Sequence, residues 1–149
     1  FFQSEREIFD ESLGPGRYNG QYATHLSIAK ELIREKNGKA RIWNFSMRGM
    51  LHGGLWEEQI DVDASAQYYT TLYKPAGAFD QRLDDYKRVD LSIVRTIAFA
   101  KIRWRYSLDI QNVFNFSNTA WRYYDPYLKA VAGQSQLGII PVLSVQASW

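Results

Sequence analysis

Gln136-Leu137-Gly138-Ile139-Ile140-Pro141-Val142-Leu143-Ser144-Val145-Gln146-Ala147-Ser148-Trp149 changes polarity at nearly every step. Leu137, Ile139, Pro141, Leu143, Val145, Ala147 and Trp149 share one parity and are all apolar. Gln136, Gly138, Ile140, Val142, Ser144, Gln146 and Ser148 share the other and are mostly polar or small. A β-strand turns successive side chains to opposite faces, so this period of two describes one long strand with two unlike faces.

The same period returns upstream. In 103–115, Trp104, Tyr106, Leu108, Ile110 and Phe114 alternate with Arg105, Ser107, Asp109, Gln111 and Asn115. In 88–99, Val89, Leu91, Ile93, Ile97 and Phe99 alternate with Arg88, Asp90, Ser92, Thr96 and Ala98, and Arg95 interrupts the apolar set. In 41–53, Trp43, Phe45, Met47 and Leu51 oppose Asn44, Ser46, Arg48 and His52. In 18–32, Tyr18, Tyr22, Leu26, Ile28 and Leu32 oppose Asn19, Gln21, His25, Ser27 and Glu31. These runs are about twice the usual strand length of roughly 5–6 residues. A soluble sheet with one wet face has the alternation but not the length. Long strands with one apolar and one polar face suit a lipid-facing barrel with a wet lumen. The expected strands are 18–33, 41–54, 87–99, 102–115 and 136–149, adjacent in space in sequence order, with no helix beyond two turns.

The connections support this. A short turn with an Asn37-Gly38 hairpin signal and a shorter one at Ala100-Lys101-Ile102 alternate with long segments at 4–17, 54–87 and 116–135. Short turns on the periplasmic side and long loops outside are the outer-membrane pattern. Gly14-Pro15-Gly16 and Lys74-Pro75-Ala76-Gly77 read as turn chemistry. Trp43, Tyr18, Trp104 and Trp149 near strand ends read as an interfacial girdle.

Composition narrows the function classes. The chain has 149 residues, which suits one domain, and 46% hydrophobic residues, which excludes wholesale disorder. Its formal charge of +2 is too balanced to argue for nucleic acid. With no cysteine, disulfides, thiolate metal sites and cysteine nucleophiles are excluded. No apolar run is long enough for a transmembrane helix, which leaves β-strands untouched. The abrupt start at Phe1, without an initiator Met, reads as a fragment or processed product. Five strands do not close a barrel, for which at least about eight are needed, so the wall needs further strands.

Ser107-Leu108-Asp109-Ile110-Gln111-Asn112-Val113-Phe114-Asn115 resembles the "LDIQNVFN" strand near the end of TonB-dependent outer-membrane receptors of Bacteroidetes type. Asp85-Tyr86-Lys87-Arg88-Val89-Asp90-Leu91-Ser92 resembles their "DYFRLDLRI" strand, and Ile60-Asp61-Val62-Asp63-Ala64-Ser65 their "IDLEAS" stretch. Tyr123-Tyr124-Asp125-Pro126, followed by Gln136 to Leu143, resembles "YYDP…QLGLIPVL". The likeness is collinear over residues 17–149. It implies that residues 1–149 are the C-terminal portion of an all-β transmembrane barrel of about 22 strands, supplying the last five or so. The plug and earlier strands would lie outside this sequence. The implied activity is uptake of a scarce or large nutrient across the bacterial outer membrane: a siderophore, vitamin, glycan or peptide. The implied partners are the rest of the barrel and its plug, outer-membrane lipid, TonB-ExbB-ExbD, the barrel-assembly machinery and surface lipoproteins. The alternative is a receptor-like barrel serving as a structural subunit of an outer-membrane complex without transport. The resemblance also makes Trp149 the barrel-closing and assembly signal.

Site chemistry is sparse. A Ser–His pair built on His25 or His52 would need a third orienting group, and no nucleophile elbow is present, so lumen-lining histidines and no enzyme are expected. Glu57, Glu58, Asp61 and Asp63 form an acidic cluster without the spacing of a calcium loop, so solvated or Asx-turn roles and no metal are expected. No cofactor is expected. Tyr68, Tyr69, Tyr73 and Phe79 in one long segment, and Trp121, Arg122, Tyr123 and Tyr124 in the other, are candidate ligand contacts or loop packing. The likeness of Tyr124-Asp125-Pro126 to family scaffold favours packing there.

Overall fold

The computed structural model describes residues 5–7, 13–74, 79–99 and 101–149. The turn residues Pro75, Ala76, Gly77 and Ala100 lie outside them. Among the described residues the chain is all-β apart from one short helix. Its elements are β1 (Glu5–Glu7), β2 (Leu13–Pro15), β3 (Ala23–Lys36), β4 (Lys39–His52), β5 (Trp56–Glu58), α1 (Val62–Tyr68), β6 (Phe79–Arg82), β7 (Tyr86–Phe99), β8 (Ile102–Gln111), β9 (Thr119–Asp125), β10 (Ala130–Ser135) and β11 (Ile140–Ser148). They fall into two compact units. One is built from His25–Met50, Lys87–Phe116 and Leu137–Trp149, the other from Phe1–Thr24, Leu51–Tyr86 and Ser117–Gln136.

The first unit is a five-stranded antiparallel sheet in the order β11-β8-β7-β4-β3. Its long strands are neighbours in sequence order, as the alternation predicts. It is not closed, and β3 and β11 are its edges. The register sorts the faces. Leu91 pairs with Ile110 and Ile93 with Leu108; Leu108 pairs in turn with Leu143, and Tyr106 with Val145. Ser92 pairs with Asp109, and Ser107 with Ser144. Residues directly opposite one another share a face, so these apolar residues form one continuous surface and these polar residues lie on the other.

Among the described residues neither face has a core: the buried apolar ones, Ile60, Leu83 and Tyr124, all belong to the other unit. On the apolar face of the sheet Leu143 is 81% exposed, and Ile28, Phe45, Met47, Ile93, Trp104, Tyr106 and Val145 are exposed too. On the polar face, Asp90 accepts from Arg88 Nε at 2.6 Å and from the Asn112 amide at 3.0 Å, beside Arg48, Asp109 and Gln111.

The strand limits differ from those expected for physical reasons. The β3–β4 hairpin turns on Asn37 and Gly38, at φ 54° and 67°, the two positive angles that a type I′ turn requires. The first strand starts at Ala23 rather than 18, because Gln21 takes φ 64° and breaks the extended run. Tyr18 therefore lies in a turn and not in a strand girdle. Gly14 and Pro15, expected in a turn, pair with Arg6 and Glu5 in a short ladder. That ladder ends at Pro15, where a missing N–H is tolerated. β8 stops at Gln111 rather than 115 because Asn112 is left-handed, at φ 53°. The Asn112 side chain accepts from the Phe116 amide at 3.0 Å and donates to the Phe116 carbonyl at 2.9 Å. Asn115, also left-handed, accepts from the Ile139 amide at 3.1 Å and so sets the approach to β11. The last strand accordingly begins at Ile140, and Trp149 follows its end, 93% exposed. At seven residues, α1 stays within two turns.

Asn112→Gly keeps the left-handed angle but loses two hydrogen bonds, whereas Asn112→Ala loses the bonds and is strained as well. Alanine should therefore destabilise more than glycine by about 1–2 kcal/mol, the cost of a left-handed non-glycine residue, in equilibrium unfolding of the full-length protein.

Candidate functional site

The second unit orders the long connections through short ladders and side-chain caps. Asp61 caps α1, its Oδ1 accepting from the Ala64 amide at 2.9 Å. The helix ends at Tyr69, left-handed at φ 55°. Ser65, fully buried, accepts from the Leu72 amide at 2.9 Å through Oγ and turns the chain back on itself. Ile60 then bridges to Tyr73, flanked by Asp61 N–H to Leu72 O at 2.9 Å and Lys74 N–H to Gln59 O at 3.0 Å. β5 pairs with β6, and β9 with β10.

A knot of glycines and charge joins the start of this unit to its middle. A Cβ on Gly53 would lie 1.9 Å from the Gly20 carbonyl oxygen, and one on Gly54 only 1.8 Å from that of Leu83. The close approach needs glycine. Asp85 accepts from the Tyr22 hydroxyl, from the Gly54 amide at 3.3 Å and from Arg82 at 3.5 Å. Arg82 Nε also reaches the Gly54 carbonyl at 3.3 Å. The hydrogen bond to Asp85 pushes the Tyr22 hydroxyl above its ordinary tyrosine value.

On this scaffold lies a cleft of about 400 Å³. Trp56, Tyr73, Phe79 and Trp121 give it aromatic surface, and Arg17, Arg122, Glu57 and Glu58 give it charge of both signs. Trp56 is held by its indole N–H on the Asn19 carbonyl at 2.8 Å, and Glu57 accepts from the Arg122 amide at 3.2 Å. Aromatic faces beside fixed charges can stack on a ring and orient its polar edge.

The structure brings together Tyr73, Phe79, Trp121 and Arg122 from two different long segments. It does not bring in Tyr68 and Tyr69, which sit exposed at the end of α1, or Tyr123 of β9, which pairs with Ala132 of β10 without lining the cleft. Tyr124 is packing: it is 4% exposed, and its amide donates to Thr71 Oγ1 at 3.0 Å. Asp125 closes the β9–β10 turn, accepting from Tyr127 and Leu128 amides at 2.8 and 3.1 Å. Arg17 and Trp56 belong to the cleft but were not singled out by sequence. The signal that points to Trp56 is its place beside Glu57 and Glu58, and the three-residue β5 that carries it is too short to show alternation.

His52 stacks on Tyr86 at 4.5 Å between ring centroids, with Nδ1 3.0 Å from the Gly53 carbonyl oxygen, and His25 lies exposed on β3. Among the described residues no group of three His, Cys, Asp or Glu is placed to hold a metal ion. Of the acidic cluster, Asp61 is committed to its helix cap and Glu57 to Arg122.

Two tests follow from the knot. Gly54→Ala should loosen residues 53–85, read as faster limited proteolysis there than in wild type. Because the Tyr22 value is raised, its bond contributes fully below about pH 10 and is lost as pH climbs through the raised value. The tyrosinate absorbance difference between wild type and Tyr22→Phe should titrate above pH 10, and Asp85→Asn should move that titration down. Comparison with family models, with curated proteins and with solved structures gives no match for this chain.

Proposed function

We propose that this chain is part of the wall of a large outer-membrane β-barrel and serves nutrient uptake as a TonB-dependent receptor. The observation that carries the first half is the five-stranded antiparallel sheet, with strands of up to 14 residues, one continuous exposed apolar face and, among the described residues, no buried apolar side chain. Apolar area on that scale needs a cover, and hydrocarbon covers a sheet without competing for its backbone. The polar face, with Arg48, Arg88, Asp90, Asp109 and Gln111, suits a wet lumen. The open edges at β3 and β11 suit a wall continued by further strands.

The second half rests on the resemblance of residues 107–115, 85–92, 60–65 and 123–143 to the receptor family. The aromatic and charged cleft in the long connections supports ligand capture there. On this reading the chain acts by binding and not by catalysis. Its partners are the remaining barrel and plug, TonB-ExbB-ExbD, and the assembly machinery, which would read Trp149.

Leu108 and Leu143 pair on the apolar face, and Ser144 faces the other side at the same level. Arginine at Leu108 or Leu143 should cost about 2–4 kcal/mol near the bilayer midplane, and at Ser144 far less. Folding of the full-length protein into lipid vesicles measures this, and equal effects on both faces overturn the wall. Deleting residues 145–149 should abolish surface labelling in intact cells, while Trp149→Phe is tolerated. Uptake is tested by deleting the gene and, separately, tonB, and measuring accumulation of iron chelates, cobalamin, oligosaccharides and peptides. Loss of the same substrate in both strains supports transport. Loss of none assigns the barrel a structural role.

A further inference from the structure

Charge is distributed unequally between the two faces of the sheet. Its acidic residues, Glu31, Glu35, Asp90 and Asp109, all carry the parity of the polar face. The apolar face carries none, yet it carries cations. Ile28 and Lys30 line one hollow with Phe45, Met47, Leu91 and Ile93, which fixes the apolar parity of β3, β4 and β7. By that parity Arg34 and Arg41 share the face and flank the Asn37-Gly38 turn. Arg95 lies on it too, opposite Tyr106 and four residues from the end of β7. Both short turns lie at one end of this sheet, because β4 leaves its turn as β7 enters its own.

Arg95 is the group that this face does not satisfy. Its guanidinium carbon sits 5.0 Å from the centroid of the Trp43 ring, and its Nε is buried without a hydrogen-bond partner. It lines a hollow of about 340 Å³ with Trp43, Tyr106 and Val145. A cation stacked on an indole gains from the ring but still has N–H groups that need an acceptor. At about 3.3 Å per residue and a tilt near 40°, four residues place Arg95 roughly 10 Å from the strand ends. An arginine side chain spans enough of that distance to put its fork at the polar boundary of a bilayer.

We propose that Arg95, stacked on Trp43 and flanked by Tyr106, binds the phosphate of an anionic phospholipid at the short-turn end of the sheet. The inference rests on the lipid-facing reading of the apolar face. With Nε covered in the hollow, the two terminal nitrogens of the guanidinium match two phosphate oxygens, the aromatic rings pack the glycerol and upper acyl chain, and Arg34 and Arg41 hold the surrounding field positive. The absence of carboxylates on this face removes the competing acceptors and the repulsion an anionic headgroup would otherwise meet.

The test uses the full-length protein folded into phosphatidylcholine vesicles containing a minor fraction of phosphatidylglycerol. Lipids retained after gentle extraction are counted by native mass spectrometry. Wild type should retain phosphatidylglycerol in preference to phosphatidylcholine. Arg95→Gln should lose that preference severalfold, and Arg95→Lys, which keeps the charge without the fork, should fall between. Arg105→Gln, which alters a cation on the polar face, should behave as wild type. Excess inorganic phosphate should not displace the lipid, and displacement would reveal a free-anion site and overturn the proposal. Insertion with equal retention by wild type and Arg95→Gln overturns this inference alone. Failure of wild type to insert overturns the lipid-facing reading and this inference with it.

Discussion

Backbone pairing without a core is the constraint on which the sheet depends. Its strands are held by ladder hydrogen bonds and by cross-strand pairs such as Leu108 with Leu143 and Ile93 with Leu108. Pairs of this kind contribute only about 0.2–1 kcal/mol each. Apolar surface left in water contributes nothing to stability, so most of the stabilisation open to residues such as Leu143 and Val145 comes from whatever covers them. That surface also dictates the sequence. Its residues must stay apolar along the full strand, and the charges must keep to the other parity, apart from the cations whose long stems can carry a head group toward a boundary.

The second unit follows a different logic. Its apolar residues Ile60, Leu83 and Tyr124 are buried, but it has little core, and its order comes from polar capping. Asp61, Ser65, Asp85 and Asp125 each satisfy backbone amides that short ladders leave unpaired. A buried amide without a partner costs about as much as a lost hydrogen bond, so such caps decide where irregular chain can run. The cleft is the by-product of that scaffold: Trp56 and Arg122 are positioned by contacts to Asn19 and Glu57.

What was legible in the sequence depended on length. Strands of nine or more residues show period two plainly, so the five long strands and their faces could be read from Leu137 to Trp149 and its counterparts. Their ends could not, because a single left-handed residue decides them. Gln21, Asn112 and Asn115 adopt angles that their sequence neighbours only permit. The candidate cleft was half legible. Tyr73, Phe79, Trp121 and Arg122 announce themselves as clustered aromatics with an arginine. Trp56 reaches the same cleft through a three-residue ladder and one indole hydrogen bond, and Arg17 through its carbonyl, which accepts from the Trp56 amide, features with no periodicity to detect. The glycines at 53 and 54 carry no signal of their own either, since what excludes a Cβ is the carbonyls of Gly20 and Leu83, far away in sequence.

The alternation of connection lengths also sets an order of events. β3 with β4, and β7 with β8, are joined by tight turns, and hairpins of this kind form in about 1–10 μs. β4 with β7, and β8 with β11, pair only across long segments, so each requires a larger loop to be closed before any rung rewards it. Asn112 and Asn115 shorten that search for β11, because they fix the direction in which the chain leaves and re-enters the sheet. The two tight hairpins therefore close the smallest loops, while β11 joins β8 only across a long segment. Slow joining of β11 would leave the outer side of β8 open meanwhile, and with it the rungs that Ser107, Leu108 and Asp109 later share with their partners.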